Sequence, residues 1–212
     1  MHFKRSVLRG VFLCSSPYFY ITSAYYYGMI IDRQLLTINL FSRCGRLLTE
    51  VRGIVIHWVA NPGSSAQINR NYFESLKNQR EAINAHYASA HFIVGLASEV
   101  IQCLPTNEMA YHVGAIEYMP GITEKLSAYP NNCTVGIELC HPDLSGRFTD
   151  ATYNAAVELT ATLLKQFNLK PQKDVYRHFD ITGKNCPKFF VDNVPAWTQF
   201  KADVEKYLIG IL

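Results

Sequence analysis

The order of apolar and polar positions divides most of this chain into short strand-like runs and longer helix-like segments. Several apolar runs have strand length and end at turn-forming or polar residues, which is the pattern of strands buried in a sheet. The predicted strands are residues 51–59, 90–96, 100–104, 134–139 and 174–177. The first of them begins the folded core, and the second and third are joined by a short turn.

Three segments carry apolar residues at helical spacing. The predicted helices are residues 66–87, 149–167 and 196–208. Thr149 suits the N-cap of the second helix, because its hydroxyl can accept a hydrogen bond from a free backbone N–H group. Strands and helices alternate along the chain, with no internal repeat, so the pattern indicates a mixed α and β domain.

The first 28 residues differ from the rest of the chain. Basic residues precede an apolar and aromatic stretch, the order found in a secretory signal peptide, with a possible cleavage site at residues 22–24. The polar segment 15–17 interrupts that stretch, so the alternative is an over-long gene start with Met29 as the true initiator. On either interpretation, residues 1–28 are an extension outside the fold and residues 29–212 form one domain.

Composition limits the class of protein. The chain has 212 residues, of which 49% are apolar and 17% charged, so we expect a globular protein with one sizeable core. The net charge of +3 would suit an anionic polymer but is too small to indicate a nucleic-acid partner. No stretch after the N-terminus is long and apolar enough to predict stable membrane insertion. The six scattered cysteines form no CxxC pair and do not indicate a disulfide framework, although they allow a single bridge.

The segment 177–187 carries the most informative chemistry, because it places a histidine, a lysine and a cysteine within a few residues. A catalytic zinc ion typically has three protein ligands and one open position, and His178 and Cys186 could supply two of them. Gly183 lies between them and allows the loop to fold back. The third ligand could be His57, which lies near the end of the first predicted strand.

Other interpretations of these residues stay open at this point. His57 could be a core histidine, and Cys186 could be a buried free thiol. Cys186 could also be a nucleophile that is activated by His178. A closed structural zinc site would need a fourth ligand, for which His91 or His112 are candidates.

Taken together, four parts of the sequence resemble the zinc-dependent N-acetylmuramoyl-L-alanine amidases of the amidase-2 type. They are His57 and the segments 89–92, 136–139 and 178–187, and they occur in the family's order. This family includes phage endolysins and the catalytic peptidoglycan recognition proteins. The resemblance covers roughly residues 30–210. It implies an α/β fold, a single catalytic domain with a central mixed β-sheet flanked by helices.

The resemblance also implies an activity and assigns roles to five residues. The expected reaction is hydrolysis of the amide bond between the lactyl group of N-acetylmuramic acid and L-alanine in bacterial peptidoglycan. His57, His178 and Cys186 are expected to bind one zinc ion. Glu138 matches the family's general base, and Lys184 matches a lysine that supports catalysis by stabilising an oxyanion.

Substrate-binding residues are assigned on weaker grounds. Tyr111 and His112 resemble an aromatic-histidine pair that lines the family's groove, although a loop histidine can also simply cap a turn. Asn61 follows His57 closely in sequence and could line the same groove.

One position departs from the pattern of other branches of the family. Those branches have a catalytic tyrosine just before the histidine of the second predicted strand, where this chain has Ala90. Proton transfer is therefore assigned to Glu138, and His91 is expected to pack or to support the site. Alternation along the strand places Glu138 on the same face as Gly136.

The competing class is a module that binds peptidoglycan without cleaving it. Such relatives typically lack the cysteine ligand, so Cys186 favours an enzyme. We expect a monomer that is secreted to the cell wall, or one that stays cytoplasmic until a phage holin releases it. The chain ends at Leu212, soon after the last predicted helix. It is therefore expected to act as a bare catalytic domain or to lack a targeting part.

Overall fold

The strand predicted from residue 51 onward lies next to one edge of a mixed β-sheet. The computed structural model describes residues 23–26, 29–80 and 84–210. Its strands are β1 (Ser23–Tyr26), β2 (Met29–Arg33), β3 (Gly53–Trp58), β4 (Phe92–Val94), β5 (Val100–Gln102), β6 (Thr134–Leu139) and β7 (Val175–Arg177). Within the described residues these strands form one sheet in the order β1-β2-β5-β4-β6-β3-β7.

Three long helices and several single-turn helices connect the strands. They are α1 (Ala66–Ser75), α2 (Ile122–Lys125), α3 (Asp150–Phe167), α4 (Pro171–Asp174), α5 (His178–Thr182), α6 (Lys188–Asp192) and α7 (Val194–Leu208). Thr149 is the N-cap of α3, as predicted, and its hydroxyl accepts a hydrogen bond from the Thr152 N–H group at 3.0 Å. The last predicted helix begins two residues earlier than expected, at Val194.

The sheet contains both parallel and antiparallel pairs, which confirms the predicted mixed α/β fold. β3 lies between β6 and β7 and is parallel to both. β4 and β5 form an antiparallel hairpin, and β4 is also parallel to β6. The pairing of β3 with β6 places His57 directly opposite Glu138.

The two faces of β3 and β6 have different surroundings. Ile54 and Ile56 of β3, with Val135 and Ile137 of β6, belong to the largest apolar cluster, which also includes residues of α3 and α7. Because side chains alternate along a strand, His57 and Glu138 point to the opposite face. The helices α3 and α7 thus pack on one face of the sheet, and the polar side chains of His57 and Glu138 lie on the other face.

The helix predicted at residues 66–87 is too long. α1 ends at Ser75 and is followed by a 3-10 turn at Leu76–Asn78. Gln79 then adopts an extended conformation, and its side-chain amide donates to the His86 carbonyl and accepts from the His86 N–H group. These two hydrogen bonds join Gln79 to His86, two residues that the sequence had placed within one helix.

The N-terminal part of the domain contains strands that sequence analysis did not predict. β2 precedes the first predicted strand and pairs with β5, and β1 pairs with β2. β1 lies inside the predicted extension 1–28, and its pairing with β2 continues the sheet into that segment. Residues 1–22 and 27–28, which include Thr22 of the possible cleavage site at residues 22–24, lie outside the described residues.

Two expectations about the whole chain can be compared with the described residues. The five cysteines among them, Cys44, Cys103, Cys133, Cys140 and Cys186, are all free, in agreement with the absence of a disulfide framework. In the same part of the chain, none of the helices has both the length and the apolar character that are needed to cross a bilayer.

Candidate active site

Two neighbouring parallel strands deliver the first two site residues to the same face of the sheet. His57 on β3 and Glu138 on β6 are paired in register, and residues paired in this way point to the same side. Both lie close to the carboxyl ends of their strands, where open α/β sheets usually form crevices for ligands.

A tight loop brings the other two site residues over these strand ends. His178 is the first residue of α5, and Gly183 ends that helix with a φ of +77°, a conformation that glycine adopts without strain. The Phe179 N–H group donates to the Cys186 carbonyl at 2.9 Å, which closes the loop. The chain therefore folds back at Gly183, as predicted, and returns Cys186 to the neighbourhood of His178.

His57, His178 and Cys186 together form a three-donor cluster. The Nδ1 atoms of the two histidines are 3.1 Å apart, and the Cys186 sulfur is 3.8 Å from the His57 Nδ1. All three donor atoms lie within 4.8 Å of one another, and all three residues are buried. A tetrahedral zinc ion with bonds of about 2.0–2.3 Å requires donor atoms roughly 3.3–3.6 Å apart, so the residues present fit that ion.

The surroundings of the cluster favour the neutral form of each donor residue. Burial lowers the pKa of His178 to about 4, with a smaller effect of Lys184 in the same direction. Burial, with the nearby His178 and His112 rings, also holds the pKa of His57 well below its usual range. Burial raises the pKa of Cys186 to about 12. Two neutral imidazole rings and a neutral thiol thus converge at this point.

Glu138 lies at the edge of this cluster with an unusual environment for a carboxylate. Burial raises its pKa to about 8, although the charge of Lys184 opposes that shift. Its Oε2 atom is buried and has no hydrogen-bond partner among the described residues. A buried oxygen without a partner costs free energy, so this atom is suited to a ligand, a metal ion or a reacting proton.

The groove above the cluster has a volume of about 790 Å³. Its lining includes all eight residues that sequence analysis assigned to the site, namely Asn61, His57, Tyr111, His112, Glu138, His178, Lys184 and Cys186. Lys184 and Asn61 are exposed, whereas Tyr111 is half-buried. The rest of the wall is rich in aromatic residues, among them Trp58, Tyr72, Tyr87 and Tyr129.

His112 lies at the bottom of the groove. Its side chain is buried, and its Nδ1 is 3.0 Å from the His57 Nε2. Its other ring nitrogen is 3.1 Å from the Thr134 hydroxyl oxygen. Because both ring nitrogens have partners, His112 is not placed to act as a fourth ligand in a closed zinc site.

His91 is equally unavailable as a ligand. Its Nδ1 accepts a hydrogen bond from the Gly136 N–H group at 3.0 Å, and its Nε2 lies 2.8 Å from the Glu108 carbonyl oxygen. A ring with one accepting and one donating nitrogen is neutral, and burial lowers the pKa of His91 to about 4. His91 thus packs between two backbone segments, as the sequence analysis expected.

Sequence analysis missed three residues that surround His112. Thr134 contacts the His112 ring, Asn131 accepts hydrogen bonds from the His112 and Val113 N–H groups at 3.1 and 2.9 Å, and Gly136 lies beneath the ring. Of the three, only Gly136 could have been singled out from the sequence, because a glycine inside a buried strand often marks the close approach of another group.

The strand ends and the adjoining loop thus bring two histidines, a cysteine and a glutamate around one groove, which is the arrangement that the resemblance to the amidase-2 family implied. Residues 47–189 match the family described as N-acetylmuramoyl-L-alanine amidase, and this match covers more than half of the 212 residues. The chain belongs to that family.

Relatives and solved structures agree with this assignment. The chain is 32% identical over 187 residues to the N-acetylmuramoyl-L-alanine amidase BlyA of Bacillus subtilis, covering 85% of this chain and 48% of that protein. It is 34% identical over 171 residues to a probable N-acetylmuramoyl-L-alanine amidase of Bacillus licheniformis, with coverages of 81% and 46%. The chain thus spans about half the length of these curated relatives.

The fold also matches experimental structures. A mutant endolysin from Bacillus subtilis aligns with a TM-score of 0.62 at 27% identity, covering 82% of this chain and 97% of that one. The catalytic domain of XlyA aligns with a TM-score of 0.60 at 25% identity, with coverages of 82% and 98%. The aligned part of this chain therefore has the fold of these two structures.

Proposed function

We propose that this protein is a zinc-dependent amidase that hydrolyses the bond between the lactyl group of N-acetylmuramic acid and L-alanine in peptidoglycan. The convergence of the His57, His178 and Cys186 donor atoms within 4.8 Å at the bottom of the groove carries this proposal. The family membership and the named amidase relatives support the amide of peptidoglycan as the substrate.

Zinc in this cluster would supply Lewis acidity, which makes water a better nucleophile and polarises the amide carbonyl. The chain's own residues would then move the protons. Glu138 is placed to take a proton from the attacking water and to deliver it to the leaving amine nitrogen. Its burial keeps its pKa near neutral pH, at about 8, and a group with such a pKa can both accept and return a proton.

Lys184 would stabilise the negative charge that develops on the carbonyl oxygen. Its charge already influences Glu138, His178 and Cys186 in the structure, so it acts on the same space in which the reaction would occur. A cation close to a developing oxyanion lowers the barrier, because it interacts more strongly with the transition state than with the neutral amide.

The exposed parts of the groove would bind the glycan and the stem peptide. Tyr111 and Asn61 lie on its wall, where an aromatic face and an amide can contact sugar and peptide groups. His112 also lines the groove, but its ring nitrogens have protein partners, so its substrate contact would be through ring carbon atoms. We propose that the protein acts on peptidoglycan as a monomer, either after secretion or after release by a holin.

The structure disfavours the alternative of a cysteine nucleophile. A thiol hydrolase needs a thiolate that is stabilised by a neighbouring imidazolium. Here burial raises the pKa of Cys186 to about 12, and it lowers the pKa of His178 to about 4, so both groups are neutral near pH 7. The alternative of a binding module without activity does not explain why the buried Glu138 Oε2 atom has no hydrogen-bond partner.

Cleavage of purified Gram-positive cell walls tests the proposal. We expect the turbidity of a wall suspension to fall, a chelator to stop the reaction, and added zinc to restore it. Mass spectrometry of the products should show new L-alanine amino termini. Cleavage that ignores the chelator but stops after thiol alkylation would assign the reaction to Cys186, and binding without new termini would make the protein a recognition module.

A further inference from the structure

The side of the His57 ring that faces away from the three-donor cluster is in contact with a second buried histidine. The His57 Nε2 is 3.0 Å from the His112 Nδ1, and the two rings meet edge to face with an interplanar angle of 81°. His57 therefore has one nitrogen toward His178 and Cys186 and the other toward His112. Only one of these nitrogens carries the proton when the ring is neutral.

The hydrogen bonds beyond His112 decide where its proton lies. The Thr134 hydroxyl is 2.8 Å from the Pro130 carbonyl oxygen, which can only accept, so the hydroxyl donates to it. The Thr134 oxygen is also 3.1 Å from the His112 Nε2. Since the single hydroxyl proton is already used, the Thr134 oxygen accepts there, and the His112 Nε2 carries the proton.

The same order continues to His57. With its proton on Nε2, the neutral His112 ring has a free lone pair on Nδ1, which accepts a hydrogen bond from the His57 Nε2–H group. The His57 Nδ1 is then unprotonated, and its lone pair points to the space shared with the His178 Nδ1, 3.1 Å away. The carbonyl of Pro130 thus fixes, through two side chains, which nitrogen of His57 is free to bind a metal ion.

Close packing holds the His112 ring in this position. A Cβ atom on Gly136 would lie 2.7 Å from the Cγ and Nδ1 atoms of that ring, so the strand can pass beneath it only because residue 136 is glycine. The Asn131 side-chain oxygen also holds the backbone of His112, because it accepts hydrogen bonds from the His112 and Val113 N–H groups. Glycine weakens a strand interior, and here the close ring contact accounts for its presence.

We propose that His112, oriented by Thr134 and packed on Gly136, is a positioning residue that selects the Nε2–H tautomer of His57 and so directs its Nδ1 into the three-donor cluster. The inference rests on the proposed zinc site for its purpose, but the tautomer itself is a property of the metal-free chain. Partners of this kind commonly change metal affinity about 10- to 100-fold when they are removed.

The tautomer can be measured without a metal ion. In metal-free protein labelled with ¹⁵N at histidine, long-range ¹H–¹⁵N correlation spectra distinguish a protonated Nε2 from a protonated Nδ1. We expect the Nε2–H form for both His57 and His112. A protonated Nδ1 on His57 in the wild-type protein would overturn the proposal, whatever the metal affinity proves to be.

Two substitutions at residue 134 provide a matched pair. Thr134→Val has nearly the same shape but lacks the hydroxyl, so we expect mixed His57 tautomers and zinc binding that is about 10-fold weaker in chelator competition. Thr134→Ser retains the hydroxyl and should restore both wild-type results. Equal zinc affinity and unchanged spectra in the valine variant would contradict the proposal.

Failure of the proposed function gives a different result. A wild-type protein that binds no zinc, but shows the Nε2–H form of His57, would refute the zinc site and leave the ordering of the two rings intact. A wild-type protein that binds zinc tightly, with His57 in the other tautomer, would refute the positioning role alone. Gly136→Ala should shift the His112 ring and weaken zinc binding in the same direction as Thr134→Val.

Discussion

Two groups of buried histidines in this protein have opposite surroundings. His57 and His178 direct ring nitrogens toward each other and toward Cys186, with the two Nδ1 atoms 3.1 Å apart. His91 and His141 instead have both ring nitrogens within hydrogen-bond distance of backbone groups, at 2.7–3.0 Å. All four residues are buried, so burial alone does not separate them.

The comparison shows that the partners of a buried histidine indicate its role better than its burial does. A ring whose nitrogens are both satisfied by the backbone ties chain segments together, as His91 does for Gly136 and Glu108. Two imidazole nitrogens 3.1 Å apart beside a thiol are instead a set of donor atoms of the kind that zinc binds. The predictions below test this division, beginning with the variant that should have the largest effect.

Removal of the sulfur donor should abolish both zinc binding and activity. In Cys186→Ser a hydroxyl replaces the thiolate, and it is a much poorer ligand for zinc. We expect the loss of zinc affinity to exceed the roughly 10- to 100-fold loss caused by removing a residue that only supports a ligand. Metal analysis and wall cleavage measure the two effects.

Cys140→Ser is the control for that substitution. Cys140 is also fully buried, and its sulfur contacts the Asn69 side-chain amide at 3.8 Å, an interaction that a serine hydroxyl can replace. It should retain zinc and activity. Full activity in the Cys186→Ser protein would refute the ligand assignment.

Substitution of the proposed base should separate metal binding from turnover. Glu138→Gln keeps the size of the side chain but cannot accept a proton, so we expect a loss of about 10²- to 10⁴-fold in kcat with a normal zinc content. Steady-state cleavage of a soluble muropeptide measures kcat and KM separately. An unchanged kcat would assign proton transfer to another residue.

Substitution of Lys184 should also lower kcat, but by less than substitution of Glu138. Lys184→Met keeps most of the length of the side chain and removes its charge, and we expect kcat to fall by roughly 10²-fold because the oxyanion loses a favourable interaction. Lys188→Met is the control, since Lys188 pairs with Asp192 in the neighbouring helix α6. Equal losses in the two variants would show that a general change of charge is responsible.

The pH dependence of the free energy of unfolding should show the contribution of His91, which belongs to the group with backbone partners. Burial holds the pKa of His91 at about 4, against an ordinary value of 6.5, so the unfolded state binds more protons between these values. The stability of the metal-free protein should therefore be complete above about pH 6.5 and fall as the pH decreases toward 4. His91 should contribute about 3 kcal/mol to that loss.

His91→Gln sharpens this test. A glutamine amide can donate to the Glu108 carbonyl and accept from the Gly136 N–H group, as the ring does, but it does not titrate. Denaturant unfolding at pH 7 and pH 5 should show a smaller pH dependence in the variant. An identical pH dependence in both proteins would mean that the His91 ring does not account for it.

The sequence predicted the sheet and the main helices because their patterns are local. The buried runs that became β3 and β6, and the capped helix α3, each have a period and a boundary that are visible in the residues themselves. β1 and β2 were missed, since their pairing with the rest of the sheet depends on distant contacts with β5.

The candidate site shows the same limit. The sequence identified the residues that now line one groove, including Lys184 and Glu138, because their chemistry and order resemble a known family. It did not reveal that the His112 ring lies behind His57, or that Thr134 orders its proton. Those features follow from distances across β3 and β6, and no pattern along the chain encodes them.

X-ray absorption spectroscopy of the zinc-loaded protein tests the assignment of the three ligands. We expect one sulfur donor at about 2.3 Å and two imidazole nitrogens at about 2.0–2.1 Å, with a light atom in the fourth position. That result would match the one thiolate and two imidazoles that Cys186, His57 and His178 supply, with no third histidine bound. A shell without sulfur, or one with three imidazoles, would contradict the division between ligand and structural histidines.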